Sequence, residues 1–283
     1  LPARGKNILE NDFYKLDGGK GANQAVAARR GCGEVTFLAC VGDDSFGADA
    51  IAGYQLDGID TSSIEIMPHV STGVALITVD KTGQNTITVA SGANMHFSVE
   101  MIEKKRDLIE EGDFILLQLE IPLASVSKVI DIAHAAKRFI ILNPAPAQAL
   151  PKALLAKVDL LTPNETEAEI LTGIPVVDKA SADKAAECLL SMGVSQVILT
   201  LGKKGIFYKD KTTSKDYPCF KVDAIDTTAA GDTFNGAIAA ALASQQPIEE
   251  ALNFSQAASA LSVTKIGAQS AIPRLVEIKA FLG

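Results

Sequence analysis

Apolar runs of four to six residues alternate along this chain with longer stretches whose apolar positions recur at helical spacing. The runs Val35 to Cys40, Phe114 to Leu119, Phe139 to Leu142, Val158 to Leu161 and Val197 to Leu201 predict strands. Gly21 to Arg30, Gly47 to Tyr54, Leu123 to Ala136, Glu165 to Leu171, Ser181 to Met192, Ala230 to Ala243 and Ile248 to Thr264 predict helices. Such alternation indicates an α/β architecture, a parallel sheet with helices on both faces. Residues 72 to 90 break the pattern. There Val74, Leu76, Ile77, Val79, Ile87 and Val89 flank the polar centre Lys81-Thr82-Gly83-Gln84, as in a hairpin.

Composition narrows the class without naming a chemistry. With 283 residues, 47% hydrophobic and 21% charged, the chain can bury one large core as a soluble globular protein. A net charge of −8 argues against nucleic acid as a partner. Cys32, Cys40, Cys188 and Cys219 lack paired metal spacing and read as reduced thiols of a cytosolic protein. The longest uncharged apolar helix, around 233 to 248, is too short for a bilayer, so no membrane segment is expected.

Candidate chemistry concentrates in two glycine-containing loops, each opening an alanine-rich helix. Asp226-Thr227-Thr228-Ala229-Ala230-Gly231-Asp232 precedes the apolar stretch to Ala243. Ala229, Ala230 and Gly231 are too small to cover their own backbone, so the helix starts with bare amides that suit an anion. Asp232 stands where a carboxylate can take a proton from an attacking hydroxyl. By composition alone an ordinary N-cap aspartate is the commoner reading. The second loop, Gly18-Gly19-Lys20-Gly21-Ala22-Asn23, lets a ligand's hydroxyls approach the backbone, with Lys20 and Asn23 adding polar contacts. It does not fit G-x-G-x-x-G, and the chain has no G-x-x-x-x-G-K-[ST], so a Rossmann oxidoreductase and a P-loop enzyme are disfavoured.

The stretches GGKGANQAVA at 18–27 and DTTAAGDTFNGA at 226–237 resemble the two signatures of the PfkB sugar kinases. The likeness continues through Cys40-Val41-Gly42-Asp43-Asp44, Leu117-Gln118-Leu119-Glu120, Leu142-Asn143-Pro144-Ala145-Pro146-Ala147, Leu161-Thr162-Pro163-Asn164-Glu165-Thr166-Glu167, Thr200-Leu201-Gly202 and Val263-Thr264-Lys265-Ile266-Gly267-Ala268, in the family's order. It implies one ribokinase-like α/β/α domain over residues 1–283, with a mostly parallel sheet and a small β lid at about 1–17 and 68–92. The lid is expected to pair two subunits into a homodimer. The implied reaction moves the γ-phosphoryl group of ATP to the 5-hydroxyl of D-ribose, with fructose, 2-deoxyribose or a nucleoside as rival acceptors.

Carried over residue by residue, the resemblance makes Asp232 the base and Ala229, Ala230 and Gly231 the anion hole. Gly19, Lys20, Gly21, Ala22, Asn23, Glu120 and Asp232 would hold the sugar. Asn164, Thr200, Leu201, Gly202, Lys203, Lys204, Gly205, Gly231 and Gln256 would face the nucleotide, with Glu167 serving Mg²⁺ through water. A monovalent cation, K⁺, would lie among Asp226, Thr228, Ser262, Lys265, Gly267 and Ala271. Two positions depart from the pattern: Ala271 stands where some relatives carry serine, and Gln256 where histidine is frequent. The family's first strand, with an Asn-x-Asp that binds sugar hydroxyls, has no counterpart in Leu1 to Asp17. A catalytically weak sugar-binding protein is therefore the expectation from a different class.

Overall fold

The computed structural model describes residues 15–79 and 85–283. Helix α1 (Lys20–Arg30) starts directly after Gly19, whose φ of 95° favours glycine. Strand β1 (Ala39–Gly42) leads into α2 (Ser45–Leu56), whose first turn is capped by Asp44 accepting from the Gly47 amide. Then β2 (Ile64–Met67) pairs in parallel with β1, and β3 (Val74–Val79) pairs antiparallel with β4 (Asn85–Ala90). Helices α3 (Val99–Lys104) and α4 (Arg106–Glu111) precede β5 (Phe114–Leu117), α5 (Leu123–Ala135), β6 (Phe139–Leu142), α6 (Lys152–Leu155) and β7 (Leu160–Leu161). The remainder comprises α7 (Glu165–Thr172), α8 (Lys179–Ser191), β8 (Gln196–Thr200), β9 (Ile206–Lys209), β10 (Ser214–Tyr217), α9 (Ala230–Ala243), α10 (Ile248–Ser262) and α11 (Leu275–Leu282).

Six strands form the central sheet in the order β10-β9-β8-β7-β6-β5, parallel from β5 to β8 and antiparallel at β9 and β10. Its parallel strands are largely aliphatic, with Phe114 and Phe139 opening β5 and β6 and polar residues only at the two ends of β8, because both faces are covered. Ile140, Leu142, Leu161, Val197 and Leu199 pack with α5, α7 and α8 on one side. Ile141, Leu160 and Ile198 pack with α9, α10 and α11 on the other. Each such side chain contributes about 1.5–3 kcal/mol when fully buried. The expected α/β/α layering is thus present.

Two expectations shift. The run from Val35 is regular strand only from Ala39, and it pairs with β2 outside the six-stranded sheet. Upstream of it, Phe37 N donates to Asp60 O and Asp60 N to Val35 O, so the run is extended but only loosely laddered. Residues 1–14 and the expected hairpin centre at 80–84 lie outside the described residues.

One glycine positions the site. A Cβ at Gly236 would lie 2.3 Å from Gln24 O and 2.5 Å from the Ala27 methyl, so α9 meets α1 only because that position is bare.

Candidate active site

The parallel strands end on one edge of the sheet, where the crevice of an open α/β fold forms. Glu120 follows β5, Asn143 follows β6, Thr162 and Asn164 follow β7, and Thr200 ends β8. The openings of α1 and α9 face these ends. Between them lies a cleft of about 240 Å³ whose lining includes Lys20, Asn164, Glu167, Thr200, Ala229, Ala230, Gly231 and Asp232.

Asp232 sits in the first turn of α9, 7% exposed. Asn23 Nδ2 donates to its Oδ2 at 2.9 Å, and Gln24 Nε2 donates to its Oδ1 at 3.0 Å. Ala229 holds φ 58° and ψ 14°, left-handed values that cost an L-residue roughly 1–2 kcal/mol. That bend turns the chain abruptly into α9. The amides of Gly231 and Asp232 find no backbone acceptor among the described residues. They remain available to an anion at the positive end of the helix dipole.

On the α1 side, Lys20 N donates to Glu120 Oε2 at 2.8 Å. Burial raises the Glu120 carboxyl above its ordinary value, the Lys20 amide and ammonium oppose the rise, and Asp232 adds to it. Asn23 is 5% exposed, and its Oδ1 has no hydrogen-bond partner among the described residues. An acceptor left bare beside Asp232 suits a ligand hydroxyl. Gly21 is held small: a Cβ there would come within 3.0 Å of Gln118 Oε1. Ala22, 6% exposed, packs inward.

Asn164 caps α7 in a capping box, with Asn164 N donating to Glu167 Oε2 and Glu167 N to Asn164 Oδ1. Burial also raises the Glu167 carboxyl. A buried carboxylate in a cleft, braced but bearing spare lone pairs, fits a hydrated divalent cation, whose charge would offset its burial. The monovalent site also fits its donor set. Asp226 accepts from Thr228 N, Thr228 Oγ1 and Gly267 N, drawing residues 226–228 onto the segment after α10. Burial works against these bonds, yet together they hold the Asp226 carboxyl below its ordinary value. The carbonyls of Thr228, Lys265 and Gly267 accept no hydrogen bond among the described residues, leaving oxygens of the kind K⁺ takes. Ser262 and Ala271 are buried alongside, and the Lys265 ammonium turns away to Glu277.

Not every expected residue reaches the cleft. Beyond Thr200, the residues Leu201, Gly202, Lys203, Lys204 and Gly205 form the tight turn into β9 and do not line it. Gln256 is buried on α10, also outside the lining, and of the sugar candidates Gly19, Gly21, Ala22, Asn23 and Glu120 stand outside it too, with Asn23 and Glu120 bonded to the lining residues Asp232 and Lys20. Conversely, Asn143, Thr162, Thr227 and Asn235 line the cleft without having been assigned roles. Asparagine at a strand's carboxyl end, and a second polar residue three positions after Asp232, were the signals available.

The sequence profile of the pfkB family carbohydrate kinases matches residues 3–275. The chain belongs to this family. Within this kinase family, the ribokinase of Haemophilus influenzae is 46% identical over 278 residues, covering 98% of this chain and 91% of its own. The deoxyribokinase of Salmonella typhi is 37% identical over 284 residues, covering 100% and 92%. The structure of Arabidopsis thaliana ribokinase complexed with ribose and ATP superposes with a TM-score of 0.94 at 30% identity, covering 100% of this chain and 92% of that one.

Proposed function

We propose that the chain transfers the γ-phosphoryl group of ATP to O5 of D-ribose, giving D-ribose 5-phosphate and ADP. The observation that carries this reading is Asp232, fixed by two N–H donors beside the free amides of Gly231 and Asp232 at the mouth of the cleft. Lys20, Asn23 and Glu120 orient the sugar. Asp232 takes the proton of the sugar hydroxyl as that oxygen bonds to the γ-phosphorus and the bond to ADP breaks. The loop amides take up charge on the transferring oxygens. Mg²⁺ near Asn164 and Glu167 would neutralise phosphate charge, largely through water. K⁺ among the carbonyls of Thr228, Lys265 and Gly267 would order the anion loop. The β3–β4 hairpin serves as a lid over the sugar and as the dimer contact, within a single domain. The four unpaired cysteines suit a reducing compartment such as the cytosol.

The test is ADP release from ATP and Mg²⁺ with D-ribose, 2-deoxyribose, fructose and adenosine, each with and without K⁺. Ribose-selective, K⁺-stimulated turnover is expected. A preference for 2-deoxyribose would favour the second reading, which the 37% identical deoxyribokinase motivates. Ribose binding with no ADP release would leave a sugar-binding protein instead.

A further inference from the structure

A chain of side-chain amides runs from half-buried Gln118 through buried Gln24 to Asn143 in the cleft lining, and the sugar-phosphorylating reading leaves it without a role. We propose that Gln24 is a positioning residue that orients the Asp232 carboxylate, braced by Gln118 and Asn143. The proposal rests on the reading of Asp232 as the base.

The sense of every bond follows from groups that can act in only one way. A peptide carbonyl only accepts. Asn143 Nδ2 donates to Thr162 O at 3.1 Å, so Asn143 Oδ1 must face Gln24. Gln24 Nε2 then divides its two protons, donating to Asn143 Oδ1 at 3.1 Å and to Asp232 Oδ1 at 3.0 Å. Gln24 Oε1 accepts from Gln118 Nε2. A reversed Gln24 amide would set an acceptor against two acceptors and a donor against a donor. Gln24 is fully buried, so water cannot repair such a mismatch.

The same chain reaches the anion loop. Asn235 Nδ2 donates to Gly231 O at 2.8 Å, which leaves Asn235 Oδ1 to accept from Thr162 Oγ1 at 2.6 Å. Thr162 therefore ties the group beside the base to the loop beside the phosphoryl path. With Asn23 on Oδ2 and Gln24 on Oδ1, the plane of the carboxylate is set before substrate arrives. The charged groups facing Asp232 are Lys20 on α1, Glu120 after β5 and Glu167 on α7.

The test compares wild type, Gln24→Glu, Gln24→Met and Asp232→Asn by kcat, KM for ribose, the pH profile of kcat and thermal midpoint. Gln24→Glu keeps the shape but sets a carboxylate against Asp232. Its acid limb is expected to move to higher pH, with kcat at neutral pH falling about 100-fold, the scale of a misplaced reacting group, and KM nearly unchanged. Gln24→Met removes the N–H that Asp232 Oδ1 accepts, so it should lower kcat and move that limb in the same direction by less than Gln24→Glu does. Should Gln24→Glu fail to fold, Gln118→Leu reads the same point, because it leaves Gln24 Oε1 without its donor, loosens the brace on the amide that holds Asp232, and should lower kcat more than it raises KM. An active wild type and an inactive Asp232→Asn, with wild-type kcat and pH profile in the folded Gln24 or Gln118 variants, would overturn the proposal alone. Absence of ADP release from wild type with every sugar, or an Asp232→Asn variant as active as wild type, would remove the reading beneath it.

Discussion

Asp232 and Glu120 are both acids in poorly hydrated surroundings, but their neighbours divide their tasks. Among the described residues Asp232 meets only side-chain N–H donors, so replacing it by asparagine places an amide against amides and removes the proposed proton acceptor. Asp232→Asn should lower kcat by about 10²- to 10⁴-fold, with ribose affinity by calorimetry little changed. Glu120 is raised by burial, which sets the sign of its effect on stability. Below its ordinary value the carboxyl is protonated in both folded and unfolded chains. As pH rises through the raised value, the folded protein must hold a charge that the unfolded chain leaves in water, so stability falls. Glu120→Gln is therefore expected to unfold at a higher temperature than wild type at pH 7, with the gap closing near pH 4, while its KM for ribose rises. A lower midpoint at pH 7 would show that the Lys20 amide outweighs burial. Asp232 and Asn23 were legible as polar residues because each stands in the first turn of a helix that a run of small residues opens. Gln24 was not, since a glutamine inside GGKGANQAVA is indistinguishable in sequence from one facing solvent.

At the scale of elements, the bonds from Asn23 and Gln24 to Asp232 depend on how closely two helices approach. Gly236 on α9 lies against Gln24 O and the Ala27 methyl of α1, and no side chain fits there. Gly236→Ala should cost about 1–3 kcal/mol in urea unfolding, as overpacked cores do. It should also lower kcat by parting Asn23 and Gln24 from Asp232, an effect that the same substitution at Gly53, where an added Cβ meets nothing within 4 Å, would not show. Helix α9 was legible end to end from its alanines, and α7 from Asn164 and Glu167 at N-x-x-E spacing. Short elements such as α3, α4 and β2 were not, because four to six residues carry too little periodicity to separate strand from turn.

For the whole molecule, the β3–β4 hairpin stands out from the layers and leaves Leu76, Ile77 and Val89 at 63%, 52% and 61% exposure. Apolar side chains this bare on a two-stranded ribbon favour a covering surface. The proposed dimer predicts that Ile77→Asp with Val89→Asp, which share a face of the ribbon, sediments as a monomer where wild type does not. An unchanged mass would move the dimer contact elsewhere. The chain's own pattern determined the α/β layering, the two small-residue loops that open α1 and α9 and the order of the carboxylates, because periodicity and small-residue loops are local properties. Only the tertiary structure decided that Asn23 and Gln24 hold a carboxylate more than 200 positions away, that Asn143, Thr162 and Asn235 complete the circuit, and that Gln256 stands back from the cleft. Those pairings depend on strand ends and helix openings converging on one edge of the sheet, a long-range geometry that local spacing does not encode.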